Sequence, residues 1–417
     1  MESPVSLTRD FSYFCSMAGI YIHIPFCKSK CGYCGFYSLP SLKLKDRFLE
    51  ALKGEIVERK DYLKRECFSI HTIYFGGGTP SLLSVMEIES LLQLIHTHYP
   101  VAANAEITLE ANPDTLSLEY LQALCKLGIN RLSIGIQSFF DNDLQYLGRK
   151  HDAQHARQCL DLAKQAGFDN ISIDLIYGLP TSNAEQWNQD LDIFFAYDLP
   201  HLSAYALTLE PNSILTKQIE LGKALPINED DAVRDYGILC QRAKENGYLH
   251  YEISNFCRRG MHSKHNASYW FGTPYLGLGP SAHSFDGASR QWNVASVEQY
   301  TATSRHCEEE RRSNPEDSMS RLPRFARNDA KRVQEKETLS PEQQYDEYIM
   351  LRLRTHWGID LKWLKREMGE RFSNYCEQHA QPLIAQGRLS QTREFLYLTN
   401  EQMLFADGVA EELFWES

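Results

Sequence analysis

Three cysteines near the N-terminus, Cys27, Cys31 and Cys34, have the spacing that most constrains the chemistry of this chain. They lie in the run GIYIHIPFCKSKCGYCGFYS, in the pattern C-x3-C-x2-C. Three thiolates spaced in this way can hold three irons of a cubic [4Fe-4S] cluster and leave the fourth iron without a protein ligand. S-adenosylmethionine (SAM) can chelate such an open iron through its amino and carboxylate groups. An electron from the cluster then cleaves SAM to an adenosyl radical, so the cofactors would carry the chemistry.

Two other interpretations of these cysteines are weaker. A structural zinc site needs four ligands, but the next cysteine after Cys34 is Cys67, and the upstream candidates are Cys15 and His23. His23 belongs to an apolar, strand-like run. A disulfide would leave one of the three thiols unpaired, and nothing else in the sequence indicates an oxidising compartment. We therefore predict an iron–sulfur cluster held by the three spaced cysteines.

Length and composition indicate a globular protein of the cytoplasm. The 417 residues are enough for two domains, and 43% of them are hydrophobic. The net charge of −12 argues against a nucleic-acid partner. No apolar run approaches the roughly 20 residues that span a bilayer. We interpret residues 1–19 as an N-terminal extension without signal-peptide features, in which Met17 is a candidate start.

Strand-like and helix-like runs alternate along residues 20–247. The apolar strand-like runs lie at 21–24, 72–75, 106–110, 131–136, 171–176 and 201–207. The helix-like runs lie at 41–65, 84–98, 117–127, 152–166, 184–196 and 231–246. Six successive β/α units predict an α/β fold with a parallel sheet curled into a partial (β/α)6, TIM-like barrel. The functional site of such a fold lies at the carboxyl ends of the strands, where the cysteine loop follows the first strand.

Three further segments follow this core. Residues 248–303 are rich in Gly, aromatic residues and His, and we expect them to complete the core. About half of the residues between Arg305 and Glu337 are charged, against 24% of the whole chain, which predicts a disordered insertion over 304–340. A basic binding arm is the alternative for that segment. Residues 341–417 predict a helical, winged-helix-like domain with a hairpin near 387–399, and that shape alone does not imply DNA binding.

A glycine run, Gly76-Gly77-Gly78-Thr79-Pro80, follows the second predicted strand. Glycines let the backbone pass close to a ligand and expose its N–H groups without interference from side chains. A tight turn is the alternative explanation of the run. Its position after a barrel strand, on the face that carries the cysteine loop, favours a ligand-binding role.

Polar residues lie within or just beyond otherwise apolar strands. Glu110 and Gln137 end the third and fourth strands, Asp174 lies within the fifth, and Arg149 follows in LGRKH. A carboxylate in an apolar strand is costly unless it finds a partner. In one interpretation a carboxylate accepts hydrogen bonds from the ribose of SAM, while Arg149 clamps the carboxylate of SAM in a bidentate contact. In the other, the acids pair with Arg149 or Arg131 as core ion pairs.

The order of the motifs YIHIPFCKSKCGYC, YFGGGTPSLL, LEANPD, RLSIGIQSF, LGRKH and DLIYGLP resembles one family. It is the radical SAM family that contains oxygen-independent coproporphyrinogen III oxidase and heme chaperones of the HemW type. The resemblance covers residues 20–300 and 341–417. It implies that the three spaced cysteines ligate the cluster and that Tyr33 packs on the adenine side of SAM. The other SAM-binding positions that it implies are Tyr21, Gly77, Gly78, Thr79, Glu110, Gln137, Arg149 and Asp174.

Two departures separate the branches of this family. The oxidase has a fourth cysteine two positions after the third, where this chain has Phe36. The oxidase also has a long N-terminal arm, whereas only about 20 residues precede the first strand here. Both departures favour the chaperone branch, which implies heme as ligand, heme-accepting respiratory proteins as partners, and membrane association only through those partners. The oxidase, and radical chemistry on an unknown substrate, remain the alternatives.

The block HNASYW also resembles the chaperone branch and suggests a place for heme. It supplies an imidazole at His265, and Tyr269 and Trp270 offer flat apolar faces to a macrocycle. The alternative is that His265 is a hydrogen-bonded loop histidine and Trp270 an ordinary packing residue. Three nearby residues compete as iron ligands: His262, His283 and Cys257.

Overall fold

Six parallel strands in chain order form the centre of a twelve-stranded sheet. The structure is a computed structural model that describes residues 17–63, 69–211, 213–302 and 332–416. The six strands are β1 (Met17–Ile24), β2 (Ser69–Gly77), β3 (Val101–Ala111), β4 (Arg131–Gln137), β5 (Ile171–Tyr177) and β6 (His201–Ala206). β1 and β6 each pair on their outer side with another strand and not with each other, so the six strands form an open sheet and not a closed barrel. The α/β fold class predicted from the sequence is confirmed.

Helices alternate with these strands, and most begin at a residue whose side chain caps the first turn. The caps are Ser84, Ser117, Asp152, Asn183, Ser213 and Asn228. The helices are α1 (Lys45–Glu58), α2 (Val85–His98), α3 (Leu118–Lys126), α4 (Asp141–Tyr146), α5 (Ala153–Gln165), α6 (Ala184–Ala196), α7 (Ile214–Glu220) and α8 (Glu229–Glu245). The sequence does not predict α4 and α7, because helices of six and seven residues show too little periodicity.

The segment after α8 extends the sheet at both edges. It contains β7 (Leu249–Glu252), β8 (Asn255–Cys257), α9 (Lys264–Trp270), β9 (Tyr275–Leu278), β10 (His283–Phe285) and β11 (Ser289–Asn293). β8 pairs antiparallel with β6, whereas β9 pairs parallel with β1 at the opposite edge. The HNASYW block lies on α9, which the sequence does not predict as a helix.

The predicted disordered insertion over 304–340 is wrong at its C-terminal end. Its residues 304–331 lie outside the described residues, but β12 (Val333–Thr338) pairs antiparallel with β11 as the last strand of the sheet. Charged side chains suit such a strand, because they discourage pairing with another molecule along its open edge. A high charge density therefore does not distinguish an exposed edge strand from a disordered segment.

Arg332, directly before β12, is 3% exposed. Its guanidinium pairs with Glu58 at the end of α1, and it lies over the ring of Tyr300 with 5.6 Å between the guanidinium carbon and the ring centroid. These contacts tie the start of β12 to the core.

Replacing Arg332 with alanine is expected to lower the free energy of unfolding by about 3 kcal/mol, because it leaves the Glu58 carboxylate without its buried partner. Denaturant titration of the two single variants and of the Arg332→Ala/Glu58→Ala double variant measures this coupling. A double variant whose loss equals the sum of the single losses contradicts the role assigned to the pair.

The C-terminal part has its own hydrophobic core. Its elements are α10 (Pro341–Leu353), β13 (Ile359–Asp360), α11 (Leu361–Glu367), α12 (Glu370–Ala385), β14 (Ser390–Gln391), β15 (Phe395–Tyr397) and α13 (Ala406–Glu411). The three short strands form one sheet, in which the antiparallel β14–β15 hairpin is the wing. The predicted helical, winged-helix-like shape is confirmed. In the described residues no helix is both long and apolar enough to cross a bilayer.

Candidate functional site

A cavity of about 400 Å³ opens at the carboxyl ends of the parallel strands. It brings together nine of the residues predicted to bind the cluster or SAM: Tyr33, Cys34, Gly77, Gly78, Thr79, Glu110, Gln137, Arg149 and Asp174. Inward-facing residues alternate along each strand, so side chains from β3, β4 and β5 reach the same space. Its size and mixture of polar and aromatic walls suit a nucleoside-sized ligand.

The three cysteines lie beside this cavity on the loop after β1, and all are partly exposed. The Thr79 hydroxyl donates to Cys27 Sγ at 3.5 Å, and Arg149 Nη1 donates to Cys31 Sγ at 3.4 Å. Donors aimed at sulfur stabilise thiolates and the negative charge of a cluster, so the surroundings fit the predicted group. In the described ranges no three metal-binding side chains converge on a single ion.

The glycine run permits a close approach between the loops after β1 and β2. A Cβ atom on Gly78 would lie 2.6 Å from the Phe26 carbonyl oxygen, and Gly77 has a φ of 110°. The N–H groups of Gly78 and Thr79 donate to the carbonyls of Ile24 and Phe26 at 2.8 and 2.7 Å. The expectation that these N–H groups are exposed to a ligand is therefore wrong, because they hold the loop that carries the cysteines.

Two half-buried carboxylates, Glu110 and Asp174, face the cavity. Glu110 accepts from the Tyr74 hydroxyl at 2.8 Å and from the Gly77 N–H at 3.1 Å, and Asp174 accepts from the Ser133 hydroxyl at 3.5 Å. Burial raises the pKa of Glu110 to about 7 and that of Asp174 to about 6. The hydrogen bonds described for both acids come from neutral donors, while the nearby charge of Arg131 lowers the pKa of each carboxyl and partly offsets the effect of burial.

Arg149 is held rigidly between the cysteine loop and β4. Its Nη2 donates to Asn112 Oδ1 at 2.6 Å and to the Gly135 carbonyl at 2.7 Å. Burial opposes its charge, but the neighbouring Tyr33 and Cys31 raise the pKa of the guanidinium. Both Nη2 hydrogens are committed, and each bidentate edge of a guanidinium includes Nη2, so in this geometry Arg149 offers a ligand carboxylate only single hydrogen bonds. The predicted bidentate clamp would therefore require Nη2 to release Asn112 or the Gly135 carbonyl.

Gln137 ends β4 with a φ of 72°, an uncommon value for a residue other than glycine. The turn after it is anchored by Asp190, whose Oδ1 accepts from the Phe139 N–H at 2.6 Å and whose Oδ2 accepts from the Ser138 hydroxyl at 3.1 Å. Backbone strain of this kind persists when the surroundings enforce it, and it is frequent at functional sites. The anchored turn directs Gln137 into the cavity.

Tyr21, a predicted SAM-binding residue, is not among the residues that line the cavity. Its hydroxyl donates to His23 Nδ1 at 3.1 Å, while His23 Nε2 donates to the Tyr37 carbonyl at 3.0 Å. Its ring stacks on that of Tyr74, with 6.1 Å between centroids. Tyr21 therefore lies outside the cavity, opposite Tyr74 on the neighbouring strand. There it supports the Tyr74 ring, and Tyr74 in turn donates to Glu110.

The HNASYW helix α9 lies away from the cavity and buries His265, which is 1% exposed. Its Nδ1 is 2.8 Å from the Thr72 hydroxyl, and its Nε2 is 2.9 Å from the Tyr269 hydroxyl. Burial lowers the pKa of His265 to about 3, so the ring is neutral. This geometry contradicts the prediction of His265 as an axial heme ligand, because both ring nitrogens are engaged. Trp270 is half-buried at the end of the helix.

Sequence reasoning missed several residues that complete the site. Asn112 bridges Arg149 and Thr79, with its Nδ2 3.0 Å from the threonine hydroxyl. Tyr74 orients Glu110. Outside the cavity, Glu106 accepts from the N–H groups of Lys264 and His265, both at 3.2 Å, and so holds the start of α9. Side chains alternate between the two faces of a strand, and this alternation places Tyr74 of β2 and Glu106 of β3 on the inward face. Their inward orientation could therefore have been predicted from the sequence. Asn112 follows no periodic pattern and is found only through its contacts.

Two family models match the chain. The model of the Radical SAM superfamily matches residues 21–194, which contain the cysteine loop and most of the cavity. The model of the HemN C-terminal domain matches residues 339–405.

Curated relatives are similar over most of the chain. Heme chaperone HemW of Mycobacterium tuberculosis (strain ATCC 25618 / H37Rv) is 31% identical over 399 residues, which cover 95% of this chain and 94% of the relative. Heme chaperone HemW of Bacillus subtilis (strain 168) is 32% identical over 397 residues, which cover 94% of this chain and 98% of the relative. That of Escherichia coli (strain K12) is 37% identical over 278 residues, which cover 63% and 69%.

A solved structure shares the fold. Coproporphyrinogen III oxidase (HemN) from Escherichia coli, described as a radical SAM enzyme, has a TM-score of 0.78 and 21% sequence identity. The alignment covers 98% of this chain and 93% of the oxidase. The likeness therefore includes both the barrel and the C-terminal domain.

Proposed function

Since this chain belongs to the HemW family of radical SAM proteins, we propose that it is a heme chaperone. In this proposal it carries a [4Fe-4S] cluster and SAM, binds heme and transfers it to respiratory proteins. The observation that carries the choice of branch is Phe36, which lines the cavity and is 69% exposed where the oxidase has a further cysteine. A phenyl ring supplies neither a ligand nor a proton donor at that position.

The loop after β1 is proposed to hold the cluster through Cys27, Cys31 and Cys34. When bound, the cluster and SAM supply one-electron cleavage of the sulfonium. Arg149 and Thr79 would donate hydrogen bonds to the thiolates, as they do to Cys31 and Cys27 in the structure. Such bonds offset the negative charge of the thiolates and tune a cluster's reduction potential.

The rest of the cavity is proposed to hold SAM. Glu110 and Asp174 provide acceptors for hydroxyl and ammonium groups, and Gln137 adds an amide. Tyr33, beside Cys34 on the wall, offers a flat face for the adenine. Arg149 offers the SAM carboxylate a single hydrogen bond on the side of the cavity nearest Cys31, because Nη2 is committed to Asn112 and Gly135.

The alternative is a SAM-dependent, oxygen-independent coproporphyrinogen III oxidase, and the completeness of the SAM cavity favours it. A radical SAM enzyme of unknown substrate is the weaker alternative. Phe36 distinguishes the first two, because the chaperone proposal needs the cluster and SAM but not the further thiol.

Anaerobic reconstitution followed by two assays on one sample tests the proposal. Heme titration is expected to give stoichiometric binding, and coproporphyrinogen with SAM and reductant is expected to release no CO2. Heme loaded on the protein is then expected to activate a respiratory membrane protein prepared without its heme. Phe36→Cys serves as the matched variant. Steady SAM-dependent release of CO2 by the wild-type protein, with no heme binding, would replace the chaperone proposal with the oxidase.

A further inference from the structure

A second cavity, of about 300 Å³, lies where the edge strands meet the C-terminal part. Helices α9 and α10 and strands β9, β10 and β11 supply its walls. The residues that line it include Tyr269, Thr273, Tyr275, His283, Phe285 and Arg290. Tyr269 belongs to the HNASYW block, so this cavity, and not the one beside the cysteines, is adjacent to that block.

The walls of the second cavity are aromatic. The rings of Tyr269 and Tyr275 meet edge to face, with 4.7 Å between centroids. Tyr275 pairs with Phe285 across β9 and β10, so both side chains are on the same face of the sheet. Flat walls of this kind suit a planar conjugated ligand.

Two buried polar atoms at this cavity lack a partner in the part of the chain that is described: the Thr273 hydroxyl and Arg290 Nε. Thr273 is 4% exposed, and Arg290 is held in place by its ion pair with Glu347 of α10. Buried donors without acceptors are rare in folded proteins, since each one costs free energy. Here they indicate a ligand that brings acceptor oxygens, such as a carboxylate.

His283 differs from His265 in being exposed. Its ring stacks on Trp292, with 5.6 Å between centroids and 23° between the planes. No hydrogen bond to its ring nitrogens is found among the residues that the structure describes. Partial burial, and then the charge of Arg290, lower the pKa of His283, so the ring is neutral at pH 7 and has a free electron pair.

We propose that the second cavity receives the edge of heme, with a ring nitrogen of His283 as iron ligand and with Thr273 and Arg290 Nε facing a propionate. This inference rests on the proposed heme-chaperone function and names its ligand site. The cavity encloses only part of a macrocycle, which suits a carrier that must release its cargo. The HNASYW block then shapes the wall through Tyr269, which His265 positions from behind at 2.9 Å.

Titration of the full-length, cluster-loaded protein with hemin tests this site. His283→Phe keeps a flat ring against Trp292 but removes the ligand. It is expected to shift the Soret band and to raise the Kd about tenfold or more, with cluster content unchanged. His155→Phe, at an exposed position on α5, is the matched control and is expected to bind hemin as the wild type does.

Two further measurements separate the iron ligand from the cavity. Iron-free protoporphyrin IX is expected to bind His283→Phe as well as wild type and to bind Arg290→Gln more weakly. Leu351→Trp, which fills the cavity from α10, is expected to prevent binding of both porphyrins.

The outcomes distinguish this site from the proposed function. If wild type binds hemin but His283→Phe and Leu351→Trp leave its spectrum and Kd unchanged, the site is wrong and the chaperone function stands. If wild type binds no hemin, the proposed function fails and this site with it.

Discussion

Replacing Cys27, Cys31 or Cys34 with alanine is expected to abolish the [4Fe-4S] cluster. Among the described residues, these three thiols lie beside the SAM-sized cavity. Each thiolate would hold a separate iron, so no neighbouring thiol can replace one that is removed. After anaerobic reconstitution, the wild type is expected to contain about four irons and four sulfides per chain. Each variant is expected to lose this content together with the visible absorbance that bleaches on reduction.

Cys125→Ala is the matched control for these variants. Cys125 is partly exposed on α3, as the three loop cysteines are on their loop, but it does not line the cavity. Its replacement is expected to leave the iron content unchanged. A triple variant of the three loop cysteines that still assembled a cluster would show that the ligands lie elsewhere.

Replacing Glu110 with glutamine is expected to weaken SAM binding and to remove part of its pH dependence. Burial raises the pKa of Glu110 to about 7, so the carboxylate ionises only as the pH rises through neutrality. We therefore expect the affinity of the wild type for SAM to increase from pH 6 to pH 8. Loss of the ionised acceptor is expected to reduce affinity by about 1.5–3 kcal/mol at pH 8.

The same substitution is expected to stabilise the protein without SAM. A carboxyl whose folded pKa is raised binds more protons folded than unfolded, so the free energy of unfolding falls as the pH rises from about 4.5 to 7. Glutamine removes that loss, which is worth up to about 3 kcal/mol above pH 7. Isothermal titration with SAM and thermal melts, each at pH 6 and pH 8, measure both effects. A variant with unchanged SAM affinity and a lower melting temperature at pH 8 contradicts both assignments.

Asp174→Asn is the companion variant, since burial raises the pKa of Asp174 to about 6. Its effect on SAM affinity is expected to have the same sign, with the pH dependence shifted about one unit lower. Asp141→Asn, on the exposed surface of α4, is the control.

The architecture and the position of the candidate site were predictable from the sequence because they depend on local patterns. Short apolar runs that alternate with helical periodicity are enough to specify a parallel α/β sheet. The carboxyl ends of parallel strands meet at one edge, so residues that end those strands, such as Glu110 and Gln137, must converge. The cysteine spacing is likewise a local property of one loop.

Contacts between distant segments decided the rest. Whether His265 is a ligand or a buried, doubly hydrogen-bonded ring depends on Thr72, which is 193 residues away. Whether the N–H groups of Gly78 and Thr79 face a ligand depends on carbonyls of the loop after β1. The type of a residue determines which hydrogen bonds its side chain can make, but only the neighbouring residues in the fold determine which of them form.

The sequence by itself therefore determined the family, the α/β barrel and the cysteine loop, because these follow from spacing and periodicity along the chain. Only the tertiary structure decided that Arg149 is anchored by Asn112, that β12 is an ordered edge strand, and that His283 faces a second cavity. The physical reason is that burial and hydrogen bonding satisfy polar groups across long sequence separations, and one-dimensional patterns carry no record of those partners.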